Sequence, residues 1–179
     1  MGAEYTFATD NGNLKGGKIT DLEGCVKVPM FIKWPNKIDA HSTYTNPVSS
    51  MDVFSTIAAA TRVPLPRDRV YDGVDLMPYL NGETEGYPHQ YLYWQRGISR
   101  AIRTPQYKIL LNDEVHDTVM FDMNIDPLES HNIYKENKTI AKQLTLTLNT
   151  WSESLPPALW PAVIYYEYVD GEQVYLFDQ

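Results

Sequence analysis

Four short runs rich in β-branched and aromatic residues, Tyr91 to Trp94, Ser99 to Arg103, Tyr107 to Leu111 and Val119 to Asp122, follow one another with only brief connections. A parallel crossover needs a dozen or more residues, so strands joined this closely must pair antiparallel. Ile140, Leu144, Leu148 and Trp151 then recur at i, i+4, i+8 and i+11. That stripe predicts a helix of about four turns, able to cover one face of the sheet and ended by Pro156-Pro157. Val163 to Tyr168 and Gln173 to Phe177 flank Asp170-Gly171, a turn signal, and predict a terminal hairpin or an extended tail.

The first half is organised differently. Tyr5 to Thr9 is a short apolar run that empties into Asp10-Asn11-Gly12, the pattern of a buried strand meeting a loop. Residues 10 to 26 are Gly-rich and polar, hence loop. Val28 to Pro35 has an apolar middle with Pro at its margins only, and is expected to be a second strand. Ser49-Ser50-Met51-Asp52 followed by Val53, Phe54, Ile57 and Ala58 gives a capping-box start and an apolar face of period near 3.6, which predicts a helix over roughly 50 to 61. Val74 to Leu80 is a second amphipathic piece ending at Asn81-Gly82.

With 179 residues and 43% hydrophobic composition the chain can bury one sizeable core. A net charge of −8 argues against nucleic acid or an anionic membrane as a partner, because the basic residues are scattered and form no patch. The single cysteine, Cys25, rules out an intrachain disulfide and makes a thiolate zinc site improbable on composition. No apolar run reaches the roughly 20 residues that span a bilayer. No secretory signal pattern opens the chain, and its compartment stays open.

Asp10 and Asn11 place adjacent hard oxygen donors at the end of a predicted strand, the position where ligands bind in open α/β sheets and the donor type that Ca²⁺ or Mg²⁺ prefers. Taken alone, Asp-Asn-Gly after a strand is more often just a turn. Lys18, five residues before Glu23-Gly24-Cys25-Val26-Lys27-Val28-Pro29, changes the weighting. This arrangement resembles the later active-site segment of the sulfatase family, within the alkaline phosphatase superfamily. The resemblance continues in order through Pro47 to Phe54, Tyr71-Asp72-Gly73-Val74-Asp75-Leu76, Leu92-Tyr93-Trp94, Arg100 to Lys108, Met120-Phe121-Asp122 and Asp126-Pro127-Leu128-Glu129-Ser130-His131-Asn132. Each piece is short, and their shared order over most of the chain carries the assignment. It disfavours another phosphoryl- or sulfuryl-transfer member of the superfamily.

The resemblance implies an α/β fold, α+β as a fragment: the last strand and metal loop of a sulfatase catalytic domain over residues 1–85, then a smaller domain of antiparallel four-stranded sheet and helix over 86–179. It implies that Asp10 and Asn11 complete the shell of a divalent cation, Ca²⁺ or Mg²⁺, and that Lys18 contacts sulfate oxygens. Lys27 stands where the family has Arg and is expected to pair with an acidic neighbour. The substrate class is a sulfated carbohydrate or an aryl sulfate. The family's formylglycine nucleophile, made from Cys/Ser-x-Pro/Ala-x-Arg, has no counterpart here, and Cys25 occupies the place of a glycine, so it is read as a small buried thiol. The paired aspartates and the histidines that activate the nucleophile are absent as well, and the chain is expected not to turn over alone. An alternative is a non-catalytic interaction or carbohydrate-binding module that keeps the sulfatase C-terminal shape.

Residues 1 to about 35 are expected to expose apolar faces and strand edges that a second copy or the N-terminal portion of a sulfatase would cover. His41, His89 and His116 read as surface residues, and His131 as part of a turn. The aromatic run Tyr165, Tyr166, Tyr168, Tyr175 and Phe177 reads as packing, and Asn137-Lys138-Thr139 as the start of the last helix.

Overall fold

A computed structural model describes residues 10–114, 118–160, 165–171 and 173–178. The strand expected over Tyr5 to Thr9, and His116, lie outside the described residues. The elements are α1 (Glu23–Val26), α2 (Asp52–Thr61), α3 (Met77–Leu80), β1 (Leu92–Arg96), β2 (Ser99–Arg103), β3 (Tyr107–Asn112), β4 (Val119–Asp122), α4 (Lys138–Glu153), β5 (Tyr165–Asp170) and β6 (Gln173–Asp178). They divide into two compact units, Met1–Pro29 with Tyr93–Gln179, and Met30–Leu92.

The first unit is built on the four-stranded sheet, in the order β1-β2-β3-β4 that short connections demand. Ala101 pairs with Leu110, Ile102 with Ile109, Lys108 with Phe121 and Ile109 with Met120, all antiparallel. Because side chains alternate across a sheet, Ala101, Leu110, Val119 and Phe121 share one face and Ile102, Ile109 and Met120 the other. The second face meets α4, where Leu144 and Leu148 of the expected stripe are buried together with Ala141, while Ile140 and Trp151 are half-buried. Arg100 adds a hydrogen bond from Nη1 to Asn149 Oδ1 at 2.9 Å. Asn137 takes the N-cap position of α4, but its side chain donates back to Ile133 O and makes no cap bond.

The first face is closed by two elements distant in sequence. Ile19 and Leu22 from the early loop, and Tyr168, Tyr175 and Phe177 from the β5–β6 hairpin, join Ala101, Leu110, Val119 and Phe121 in one apolar cluster. The early loop is therefore packed, and only the segment beyond it matches the expectation of exposed apolar surface. That segment is not a strand: residues 27–34 have no regular structure, and Phe31 is 94% exposed. An apolar run alone makes no strand when no neighbouring strand supplies hydrogen bonds. The hairpin is formed as expected, in register from Tyr165 with Asp178 to Asp170 with Gln173.

In the second unit α2 begins at Asp52, after Met51 at the N-cap position, and only the Asp52 side of the predicted capping box is made. Asp52 N donates to Ser49 O at 3.0 Å, while Ser49 N donates to Asp52 Oδ2 at 2.7 Å. Asp52 also accepts from Val74 N at 2.9 Å, and His89 Nε2 lies 2.8 Å from its Oδ1. His89 is thus half-buried in an ion-pair geometry, which corrects its reading as a surface residue. Ser55 donates to Gly73 O and Thr56 accepts from Leu76 N, so the Tyr71-to-Leu76 segment crosses the start of the helix. The approach leaves no room at Gly73, where a Cβ would sit 2.2 Å from Met51 O. Consequently the inward face of α2 is polar, with Asp52 and Ser55 buried, whereas Val53, Phe54 and Ile57 point to solvent. The apolar stripe exists, but of its members only Ala58 is buried.

Among the described residues no helix is long and apolar enough to cross a membrane.

Candidate functional site

The loop from Asp10 to Leu22 is shaped by its own small polar residues. Asp10 is exposed, and its Oδ1 accepts from Gly12 N at 2.8 Å, an Asx turn. Asn11 is half-buried and donates from Nδ2 to Gly16 O at 3.1 Å, while its backbone carbonyl accepts from Leu14 N. Its amide nitrogen faces Gly17, 3.5 Å from where a Cβ would stand on the residue before Lys18. Thr20 closes the tip: its hydroxyl donates to Gly17 O at 2.8 Å, and its backbone N–H donates to the same carbonyl. Lys18 sits on this tip, exposed, with no ion pair among the described residues.

Next to Lys18 the backbone is strained. Ile19 has φ +85°, a conformation that costs a β-branched residue about 1–3 kcal/mol. Two contacts hold it there. Its side chain is buried in the apolar cluster, and its carbonyl accepts from Arg96 Nη2. The tip that presents Lys18 is thereby fixed by the sheet rather than left to solvent.

The base of the loop is held by a buried cation. Lys108, on β3, has 0% of its side chain exposed, and its Nζ lies 3.0 Å from Glu23 Oε1 and 2.8 Å from Glu129 Oε1. The first contact is an aligned hydrogen bond; the second is a charge contact off the hydrogen-bond direction. Glu129 Oε2 accepts from Glu23 N at 2.8 Å, and Arg103 Nε lies 3.7 Å from Glu23 Oε1. Burial pushes the Glu129 carboxyl above the usual glutamate range, an effect that Lys108 only partly offsets. Glu129 also holds φ +59°, a left-handed geometry kept because its carboxylate is committed. Gly24 is enforced by close approach, since a Cβ there would lie 2.4 Å from Gly16 O.

In the sequence Glu23, Lys108 and Glu129 stand in three separate motifs, and nothing there assigns any of them a role. The structure joins them. Lys27, by contrast, is exposed and makes no ion pair among the described residues, because the chain leaves α1 into the extended 28–34 segment. Cys25 is half-buried, and burial raises its thiol, which suits a packing residue better than a nucleophile. His131 is exposed; the nearby turn is ordered by Asp126, whose carboxylate accepts from Ser130 N and His131 N.

The donor set near Asp10 is small. Among the described residues, no protein group hydrogen-bonds to the second carboxylate oxygen of Asp10 or to the amide oxygen of Asn11, and both suit a hard cation. Among the described residues there is no group of three or more His, Cys, Asp or Glu side chains able to hold a metal ion. Two oxygens are part of a Ca²⁺ shell, which takes six to eight.

Comparison with known proteins adds the family. Human steryl-sulfatase is 43% identical over 83 residues, 46% of this chain and 14% of that protein. The N-acetylgalactosamine-6-O-sulfatase of Bacteroides thetaiotaomicron is 24% identical over 159 residues, 79% of this chain and 30% of that protein. The solved structure of Ps i-CgsB superposes with a TM-score of 0.77 at 26% identity, covering 89% of this chain and 36% of the other; a second structure of it is a complex with k-i-k-neocarrahexaose. The chain thus spans a minor part of the length of each relative. A protein-family model described as N-sulphoglucosamine sulphohydrolase, C-terminal, matches residues 18–154, well over half of the chain, and the chain belongs to that family of sulfatase C-terminal domains.

Proposed function

We propose that this chain is the C-terminal part of a sulfuric ester hydrolase and contributes one wall of its active site. The observation that carries the reading is the loop geometry on a sulfatase C-terminal fold: Asn11 tied to Gly16 O, and Lys18 held outward on a strained, anchored tip. In this reading Asp10 and Asn11 offer two oxygens to a divalent cation, Ca²⁺ or Mg²⁺. When bound, that cation offsets the negative charge of a sulfate ester. Lys18 contacts sulfate oxygens as a point cation and stabilises charge that grows on them as the ester bond breaks. Lys108 does not touch substrate. With Glu23 and Glu129 it fixes the base of the loop.

A formylglycine nucleophile and the remaining metal oxygens belong, in this reading, to a polypeptide portion carrying Cys/Ser-x-Pro/Ala-x-Arg. The outward apolar face of α2 supports it, because Val53, Phe54 and Ile57 are exposed in a way that a larger body would cover. The substrate is a sulfate ester of a carbohydrate or an aryl alcohol; the breadth of the likeness to Ps i-CgsB favours carbohydrate.

The test is hydrolysis of an aryl sulfate and of sulfated oligosaccharides by the chain alone, and by the chain joined to or co-expressed with that catalytic portion. Turnover is expected only with both present. Lys18→Ala should then lower kcat/KM about 10²-fold. Equal turnover by the parent and by Lys18→Ala and Asp10→Ala variants would overturn the assignment, as would hydrolysis by the chain alone.

A further inference from the structure

The β5–β6 hairpin lies outside the residues matched by the family model, yet it closes on the loop that carries the candidate site. Lys15 Nζ is 2.6 Å from Asp170 Oδ2, and the same ammonium lies 5.8 Å from the ring centroids of Phe121 and of Tyr175. The side chains are 11% and 47% exposed, so the pair is more sheltered from water and salt than an ordinary surface pair. Tyr168, two residues before Asp170, packs in the apolar cluster with Ile19 and Leu22 of the loop.

The hairpin is itself firmly mounted. Ser99 Oγ and Asn112 Nδ2 both donate to Leu176 O, at 3.1 and 2.6 Å, and Tyr168, Tyr175 and Phe177 are buried in the apolar cluster with Ile19 and Leu22. A chain of contacts therefore runs from the sheet through β6 and Asp170 to Lys15. It continues through Gly16 O to Asn11 Nδ2. The loop residues in that chain lie within a few positions of Asp10 and Lys18.

We propose that the terminal hairpin is a clamp on the candidate active-site loop, with Asp170 as a positioning residue that aligns Asn11 and Lys18 through Lys15 and Gly16. Its catalytic meaning rests on the sulfatase reading; the clamp itself is a property of this chain. A hairpin outside the family match gives individual members a way to set this loop by sequence changes that leave the ester-contacting residues alone.

The test is amide hydrogen exchange of the full chain, followed residue by residue by NMR. In Asp170→Asn the amides of Leu14, Gly17 and Thr20 should exchange about five- to tenfold faster, while those of Ile102 and Ile109 in the sheet keep their rates. Asp170→Glu, which restores the charge, should return the loop rates to within about twofold of the parent. Unchanged loop rates in Asp170→Asn would overturn the clamp. So would an equal acceleration of loop and sheet, or failure of Asp170→Glu to rescue. These rates involve no sulfate ester, whereas the sulfatase reading is decided by turnover, so either can fail without the other.

Discussion

Lys108 is fully buried between two carboxylates, and the members of this trio respond differently to substitution. Removing the cation leaves Glu23 and Glu129 buried face to face, so Lys108→Met should cost about 3–5 kcal/mol in urea unfolding. Removing one carboxylate leaves Lys108 paired with Glu23, and a glutamine at 129 can still accept from Glu23 N; Glu129→Gln should cost no more than about 1 kcal/mol near neutral pH. The pH dependence has a definite sign. Burial raises the folded-state affinity of Glu129 for its proton, so its contribution is complete below the unfolded value and declines as pH rises through the folded one. Glu129→Gln removes that decline, and the stability of the variant relative to the parent should improve as pH is raised from acid toward neutral. A pH-independent difference would refute this account. The trio was not legible from the sequence. A lysine is most often solvated, and its partner Glu23 stands 85 positions away, while the bond that ties Glu23 to Glu129 spans 106. Asp10, Asn11 and Lys18 were legible as candidates because they share one short loop, and what the sequence did not show was the strained Ile19 and the Arg96 bond that fix the tip.

At the level of elements, the start of α2 is organised by a single carboxylate. Asp52 is buried, accepts from Ser49 N and Val74 N, and faces His89, so it joins the helix start to two segments that follow it. Asp52→Ala would strip all three at once and should cost about 2–4 kcal/mol, with faster amide exchange along α2. His89→Ala removes one partner and should cost about 1–2 kcal/mol. Equal effects of the two substitutions would show that the backbone bonds contribute nothing. The existence of α2, α4 and the four strands was readable because capping residues, period and short connections act locally. Faces and partners were less so. The period of 3.6 located the stripe on α2 but not its direction, since a stripe packs inward only when the rest of the fold gives it a neighbour there, and here Ser55 and Thr56 bond to the 73–76 segment instead. The same cause removed the strand expected over Val28 to Pro35. Its pattern was adequate, and it has no strand to pair with among the described residues.

For the whole molecule, the distribution of apolar surface decides what the chain does in solution. The first unit closes both faces of its sheet, with α4 on one and the early loop and hairpin on the other. The second leaves Phe54 and Ile57 more than half exposed, at 57% and 56%, on a helix whose inward side is already satisfied by hydrogen bonds. Burying each such side chain is worth about 1.5–3 kcal/mol, which corresponds to roughly 10- to 100-fold in a dissociation constant. In isolation the chain should therefore self-associate at micromolar concentration, and an added sulfatase catalytic portion should compete with that association. Replacing both residues, Phe54→Lys with Ile57→Lys, removes the attraction and places two like charges on the same surface, so the variant should sediment as a monomer. Phe54 also stacks on Tyr71 within the unit, ring centroids 5.8 Å apart, so the double variant should lose about 0.5–1.5 kcal/mol of stability while remaining folded. Sedimentation velocity over a concentration series separates the cases. A parent that stays monomeric throughout, or a double variant that associates as strongly as the parent, would mean that this face is not where the chain meets a partner.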